Sequence, residues 1–429
     1  MNRVVLAFVL ICLGNPAPAA QKPASPPARP LSAKPFESTP QRVERGRYLA
    51  NGILQCFVCH SERDWDKPGA PPRDGMLGAG QVLSDEPGKR LVAPNITPDR
   101  ETGSGTWPDD ALARAIREGV GHDGRALHPQ MWYRSFRKLS DNDVAAVVVY
   151  LRTLAPVHRE LPPMQWDAAR RADVAAQLKP LTEPVPDRGK GPLERGSYLV
   201  ELADCAGCHT SWYSKRMPGL YAGGNLIERG ERKAFSTNIR HDPSGVMADR
   251  DGFIRLMRSG KDGTLSPLMP WIVFRNLDDD DLDAIRLVLA GLPPVSHYVS
   301  NALAPTHCPV CGQEHGLGDA NKLVLPVARV ELTPQQMQAV AGTYRAREDG
   351  ALDVVSVADG KLYRGDKPDE RIELVAQSTT SFAGSGMLLP IRFELDVNGR
   401  AVRMVEDDIE PYVYDRIDPP KQSAAKPKH

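Results

Sequence analysis

At 429 residues the chain is too long for one hydrophobic core and has room for about three ordinary domains. Its 54 Lys plus Arg balance 54 Asp plus Glu, so it lacks the basic excess that draws proteins to nucleic acid or to anionic membranes. The composition is that of an ordinary globular protein and narrows function no further.

Met1-Asn2-Arg3 gives a positive start, Val4 to Leu13 an apolar run and Ala17-Pro18-Ala19 a small-residue cleavage site, the pattern of a secretory signal cut near Ala19 or Ala20. The run is short for a bilayer, and no other stretch approaches the roughly 20 apolar residues of a spanning helix. The mature chain is therefore expected in the periplasm without a spanning segment, and Cys12 leaves with residues 1–20. Residues 21–40, dense in Pro, Ala and Ser, read as a flexible leader.

Six cysteines then remain as three CxxC pairs, for which disulfides are the ordinary reading in an oxidising compartment. Two pairs depart from it. Cys56-Phe57-Val58-Cys59-His60 and Cys205-Ala206-Gly207-Cys208-His209 each place a histidine directly after the second cysteine, the haem c attachment pattern. Two thiols on one turn can add to the two haem vinyl groups while the adjacent imidazole reaches the iron. Chance placement of seven Cys and ten His in this length gives about 0.003 such strings, and two are present.

A disulfide loop or half a zinc site is the plain alternative for either motif, and an internal repeat weighs against it. Glu44-Arg45-Gly46-Arg47-Tyr48-Leu49 precedes the first motif and Glu194-Arg195-Gly196-Ser197-Tyr198-Leu199 the second. Beyond them Gly78-Ala79-Gly80 answers Ala222-Gly223-Gly224, and Pro94-Asn95-Ile96-Thr97 answers Thr237-Asn238-Ile239. Each copy then offers a methionine as second axial ligand, Met131 in His128-Pro129-Gln130-Met131-Trp132 and Met269 in Ser266-Pro267-Leu268-Met269-Pro270-Trp271. A lone Met near an aromatic is usually core, but this one recurs at corresponding places. His128 is a rival ligand without a counterpart, since Ser266 stands in its place. An apolar-periodic helix closes each copy, Ser140 to Leu154 and Asp278 to Ala290, with Ser140 and Asp278 as N-caps.

Together these residues resemble the class I cytochromes c, and more closely the two- and three-domain cytochrome subunits of bacterial periplasmic dehydrogenases. Pro94-Asn95-Ile96-Thr97-Pro98-Asp99, Glu101-Thr102-Gly103 and Leu139-Ser140-Asp141-Asn142-Asp143 carry the closer likeness. The resemblance implies small helical domains with two covalently bound haem c groups, His60 and Met131 on one iron and His209 and Met269 on the other. It implies single-electron transfer between a dehydrogenase donor and a cytochrome or oxidase acceptor, with no catalytic residues of the chain's own. The second copy lacks the prolines around Asn238, which leaves that loop open to a different shape. The alternative from another class is a dihaem peroxidase with one open iron; the two Met-bearing copies argue against it.

Residues 158–190 read as a strap with one helix near Asp167 to Leu178. The third pair, in His307-Cys308-Pro309-Val310-Cys311-Gly312, has no histidine directly after Cys311, so no third haem is expected. It is either a Cys308–Cys311 disulfide or a zinc site completed by His307 and His315. From Glu331 the pattern turns to β-hairpins, with strands at Leu352 to Val357, Lys361 to Arg364, Arg371 to Val375, Met387 to Asp396 and Ala401 to Val405. Gly342-Thr343-Tyr344-Arg345, Asp359-Gly360-Lys361-Leu362-Tyr363 and Asn398-Gly399-Arg400 resemble the small β domain appended to exported β-lactamase-like serine hydrolases. The expected architecture is multidomain: two all-α cytochrome c domains in tandem (41–157 and 191–296), a connector (297–330), a small all-β, barrel-like domain (331–417) and a disordered tail (418–429). The β domain reads as a docking module, or as a ligand-binding one whose state the haems report.

Overall fold

The computed structural model describes residues 30–212, 218–229, 232–261, 263, 265, 268–322, 330–347, 350–365, 371–384, 391–406 and 412–418. The signal, leader residues 21–29, Ser266-Pro267, residues 387–390 of the strand expected from Met387 and the tail from 419 lie outside the described residues.

Helix α1 (Pro40–Asn51) starts where Thr39 accepts from the Arg42 amide and Pro40 occupies the first turn, where its missing N–H costs nothing. There follow α2 (Cys56–Cys59), the hairpin β1 (Gln81–Glu86) and β2 (Lys89–Ala93), α3 (Asp109–Glu118), α4 (Tyr133–Phe136) and α5 (Asp141–Arg152). After α6 (Ala168–Gln177), capped by Asp167, the same succession returns. It runs α7 (Pro192–Leu202), α8 (Cys205–His209), hairpin β3 (Leu226–Arg229) and β4 (Arg232–Phe235), α9 (Arg250–Ser259), α10 (Trp271–Phe274) and α11 (Asp279–Gly291). The two expected closing helices are thus α5 and α11. Ser140 caps α5 by accepting from the Asp143 amide, whereas Asp278 holds the cap position of α11 without a side-chain bond. No helix among the described residues is long and apolar enough to cross a membrane.

The repeated Arg-Gly-x-Tyr-Leu explains how each first helix meets each last one. A Cβ on Gly46 would stand 1.9 Å from the Ala146 carbonyl oxygen and one on Gly196 2.1 Å from that of Ala284, so only glycine lets α1 cross α5 and α7 cross α11 so closely. Arg45 makes a two-pronged ion pair with Asp143, and Arg195 with Asp281. The tyrosines reach across instead: Tyr48 Oη donates to Asp281 at 2.6 Å and accepts from the Asp278 amide, while Tyr198 Oη donates to Asp143 at 2.9 Å and accepts from the Ser140 amide. Each helical set therefore braces the other's closing helix, and one apolar cluster containing Leu49, Ile53, Val148, Leu199, Leu202 and Leu282 runs through both. The strap is tied along the first set, pairing Arg90 with Gln165 by backbone bonds and the Asp141 amide with Val185.

The connector forms the hairpin β5 (Ser300–His307) and β6 (Glu314–Gly316). Helix α12 (Pro334–Val340), opened by a Thr333–Gln336 capping box, leads into β7 (Gly342–Ala346), β8 (Leu352–Ala358), β9 (Lys361–Arg364), β10 (Ile372–Ala376), β11 (Ser381–Gly384), β12 (Ile391–Leu395), β13 (Ala401–Glu406) and β14 (Tyr412–Arg416). Every neighbouring pair is antiparallel and β14 returns to β7, closing an up-and-down barrel filled by Tyr344, Phe382, Phe393 and Met404. The barrel-like domain expected from the hairpin pattern is thus present, with β7, β11 and β14 added to the five expected strands.

Candidate functional site

The first thiol pair lies on α2, a single turn entered through Gln55 in the left-handed conformation (φ 53°), and the second on α8, entered through Asp204 (φ 51°). All four cysteines are half-buried free thiols. Burial pushes Cys56 and Cys205 each up to about 12, so neither has the lowered value of a nucleophilic or redox-exchanging cysteine.

His60 and His209 are buried, and each is held by one ring nitrogen: Nδ1 of His60 lies 2.7 Å from the Pro94 carbonyl and Nδ1 of His209 2.7 Å from that of Thr237. A carbonyl only accepts, so Nδ1 carries the proton and Nε2 presents its lone pair, the arrangement of a metal-ligating imidazole. Burial, opposed by the carbonyl bond, lowers both below the ordinary histidine value and keeps the rings neutral.

The carbonyls are placed by an asparagine in each copy. Asn95 donates to the Val157 carbonyl and accepts from the Thr97 amide; Asn238 donates to the Val295 carbonyl and accepts from the Arg240 amide. The second loop therefore keeps its shape without the flanking prolines. Arg240, almost wholly buried, ties it to the carbonyls of Leu220 and Pro293. One repeat correspondence shifts by a residue: Gly80 and Gly223 donate to the carbonyls of His60 and His209, and Gly78 and Tyr221 accept from Ile96 and Ile239. Gly78-Ala79-Gly80 thus answers Tyr221-Ala222-Gly223, with Tyr221 taking the positive φ (59°) that glycine takes in the first copy.

Met131 ends a short turn opened by His128, and Met269 stands just before α10; both are half-buried against the shared core that also touches Cys56 and Cys205. The rival His128 is otherwise engaged: its Nδ1 accepts from the Gln130 amide and its ring meets Trp166 edge-on at 4.9 Å.

Two further observations bear on a cofactor. Arg63, three residues beyond His60, is 2% exposed, and its Nη1 has no hydrogen-bond partner among the described residues, while Nε and Nη2 meet the carbonyls of Ala70 and Gly69. Burial and the charge of Arg229 push it down to about 10. A buried cation with a spare donor suits an anionic group from outside the chain, such as a haem propionate. The attachment turns also meet: Gln55 Nε2 donates to the Ala203 carbonyl at 3.1 Å, and Arg229 acts electrostatically on both Cys59 and Cys208.

The sequence profile of the cytochrome c family matches residues 43–155. These residues form a cytochrome c domain. Cys56, Cys59, His60 and Met131 all lie in it. The chain is 36% identical over 204 residues to a nicotinate dehydrogenase subunit of Pseudomonas putida, covering 45% of this chain and 16% of that one. It is 29% identical over 283 residues to the fructose dehydrogenase cytochrome subunit of Gluconobacter japonicus, covering 61% of this chain and 56% of that one. It is 30% identical over 197 residues to a diheme cytochrome c-type protein of Cereibacter sphaeroides, covering 42% and 62%. The chain thus spans a small part of the first relative and little more than half of the second. A cytochrome c domain implies covalently held haem.

The third thiol pair sits apart from the cytochrome c domain. Cys308, Cys311 and His315 come together as the spacing suggested, with the two sulfurs unbonded, but His307 does not join them. It is exposed on β5, in register with Glu314, and the fourth member is His297, from the segment that follows α11. His297 escaped sequence reasoning because it stands eleven residues before Cys308, outside local ligand spacing.

Proposed function

We infer that the chain is a dihaem c-type cytochrome with two tandem cytochrome c domains, passing electrons singly between an exported dehydrogenase and a downstream respiratory acceptor. The observation that carries this reading is the equivalence of the two sites: a CxxCH turn whose buried histidine is held at Nδ1 by a carbonyl of the repeated Asn loop, leaving Nε2 free. Cys56 and Cys59 would hold one haem and Cys205 and Cys208 the other, with His60 and Met131, then His209 and Met269, on the two irons. Bound haem supplies a one-electron iron couple. The chain orients the imidazoles, surrounds the sites with apolar side chains and, through Gln55 and Ala203, fixes the two attachment turns side by side, which favours transfer between them.

The names of the relatives favour a dehydrogenase as donor, and the first twenty residues favour export to the periplasm. The test is pyridine haemochrome quantification with a near-infrared spectrum of the oxidised protein. Two haems per chain, each with the weak Met–iron charge-transfer band, are expected, and the double variant Cys205→Ser, Cys208→Ser should keep one. A single haem in the wild type would overturn the dihaem reading, and a high-spin iron that turns over peroxide would replace it with peroxidase chemistry.

A further inference from the structure

We propose that His297, Cys308, Cys311 and His315 form a tetrahedral zinc site that clamps the connector onto the second helical set. All four are at most 1% exposed, and their ligand atoms lie within 4.8 Å of one another. Zinc with Zn–S near 2.3 Å and Zn–N near 2.0 Å sets S···N edges of about 3.5 Å in a tetrahedron. The observed separations are 3.5 Å from Cys308 Sγ to His297 Nε2 and 3.4 Å from Cys311 Sγ to His315 Nε2.

The supporting contacts are those of a metal site. Nδ1 of His297 lies 2.7 Å from the Ala222 carbonyl and Nδ1 of His315 3.1 Å from that of Gly316, so both Nε2 atoms carry lone pairs and point at the sulfurs. The rings stand at 87° with centroids 5.3 Å apart, converging without stacking. The turn between the cysteines is closed by the Gly312 amide donating to the Cys308 carbonyl, with Gly312 at φ 74°. A disulfide fits this chemistry poorly: it has no proton to donate, and both Nε2 lone pairs would be buried without a partner. Zinc satisfies all four atoms at once, the two thiol protons leaving as it binds.

The site joins segments distant in sequence. Ala222 and Gly224 belong to the loop after His209; a Cβ on Gly224 would meet His297 at 3.0 Å and Cys311 at 3.4 Å. The Gly223 amide between them donates to the His209 carbonyl. The clamp thus fastens the hairpin that leads to the barrel against the backbone supporting His209, and its role is structural.

Elemental analysis of the purified full-length, haem-loaded protein, with iron counted alongside, should find one zinc per chain, and zinc-edge X-ray absorption should report two sulfur and two nitrogen ligands. His297→Ala and Cys311→Ser should lose the metal, while His307→Ala keeps it. Should the variants fail to fold, the wild-type stoichiometry and absorption edge decide alone. Wild-type protein without zinc and with a Cys308–Cys311 disulfide by intact mass, a zinc edge with fewer than two sulfurs, or loss of zinc in His307→Ala with retention in His297→Ala would overturn the assignment.

Discussion

Burying a guanidinium without a carboxylate is costly unless an anion meets it, and Arg63 is buried beside the first CxxCH turn against two carbonyls and the Trp65 ring. In the second copy the corresponding position is Trp212, 56% exposed, and the buried guanidinium there, Arg240, holds the asparagine loop instead. On the dihaem reading, replacing Arg63 with Met removes a positive charge near one site only. The oxidised iron carries the greater positive charge, so losing a nearby cation stabilises it and lowers the potential. Potentiometric titration should show one of two components moving down by on the order of tens of millivolts while the other stays; movement of both, or of neither, would count against Arg63 serving the first site. The burial of Arg63 was illegible in sequence, since an arginine after CxxCH carries no sign of it. On the dihaem reading, His60 and His209 stand out in the sequence because a CxxCH string is local. His297 was hidden because its partners are gathered by the fold, and His307 was mistaken for it because adjacency to Cys308 outweighed the exposure of a strand position.

At the scale of elements, the two helix crossings depend on glycines that helix propensity alone would remove. Gly to Ala in a helix ordinarily stabilises by about 0.5–1 kcal/mol. At Gly46 and Gly196 the new Cβ would meet the backbone of Ala146 or Ala284, so the sign should reverse. Gly196→Ala is expected to destabilise the helical part by about 1–3 kcal/mol, the range for overpacking. Denaturant unfolding followed by helical circular dichroism checks it, and a stabilised variant would show that α7 and α11 do not pack so closely. Apolar spacing gave the closing helices α5 and α11 nearly to the residue, whereas the segments that form α1 and α7 stood out only as a repeat. Helices α3 and α9 were missed. In α3 the buried positions include Asp110, Arg114, Arg117 and Glu118, so its buried side is not an apolar stripe; Arg114 donates to the Gly121 carbonyl, and Arg117 to the Leu139 carbonyl and the Asp141 carboxylate. Strands β11 and β14 were missed because Ser381-Phe382-Ala383-Gly384 carries one large apolar side chain and Tyr412-Val413-Tyr414-Asp415-Arg416 runs three apolar or aromatic residues together, so neither alternates.

At the scale of the whole molecule, the helical sets are coupled by the crossed tyrosines, and that coupling has a pH signature. Burial pushes the Asp281 carboxyl up, but hydrogen bonds from Arg195 and Tyr48 outweigh it and hold the group below the ordinary carboxylate value. A depressed folded pKa contributes stability above the unfolded value, about 3.9 for Asp, and loses it as pH falls through the folded value. Acid should therefore weaken the brace between the sets below about pH 4. Other lowered carboxylates, among them Asp415 and Asp418 in the barrel, add to any acid limb, so the informative quantity is the difference between wild type and Asp281→Asn. Thermal midpoints of the two proteins from pH 6 to pH 3 should converge as the wild type loses what the variant never had. Tyr48→Phe, which removes one of the two donors to Asp281, should fall between them at neutral pH. Curves that stay parallel down to pH 3 would mean that this contact, though well formed, contributes nothing the protonated carboxyl does not.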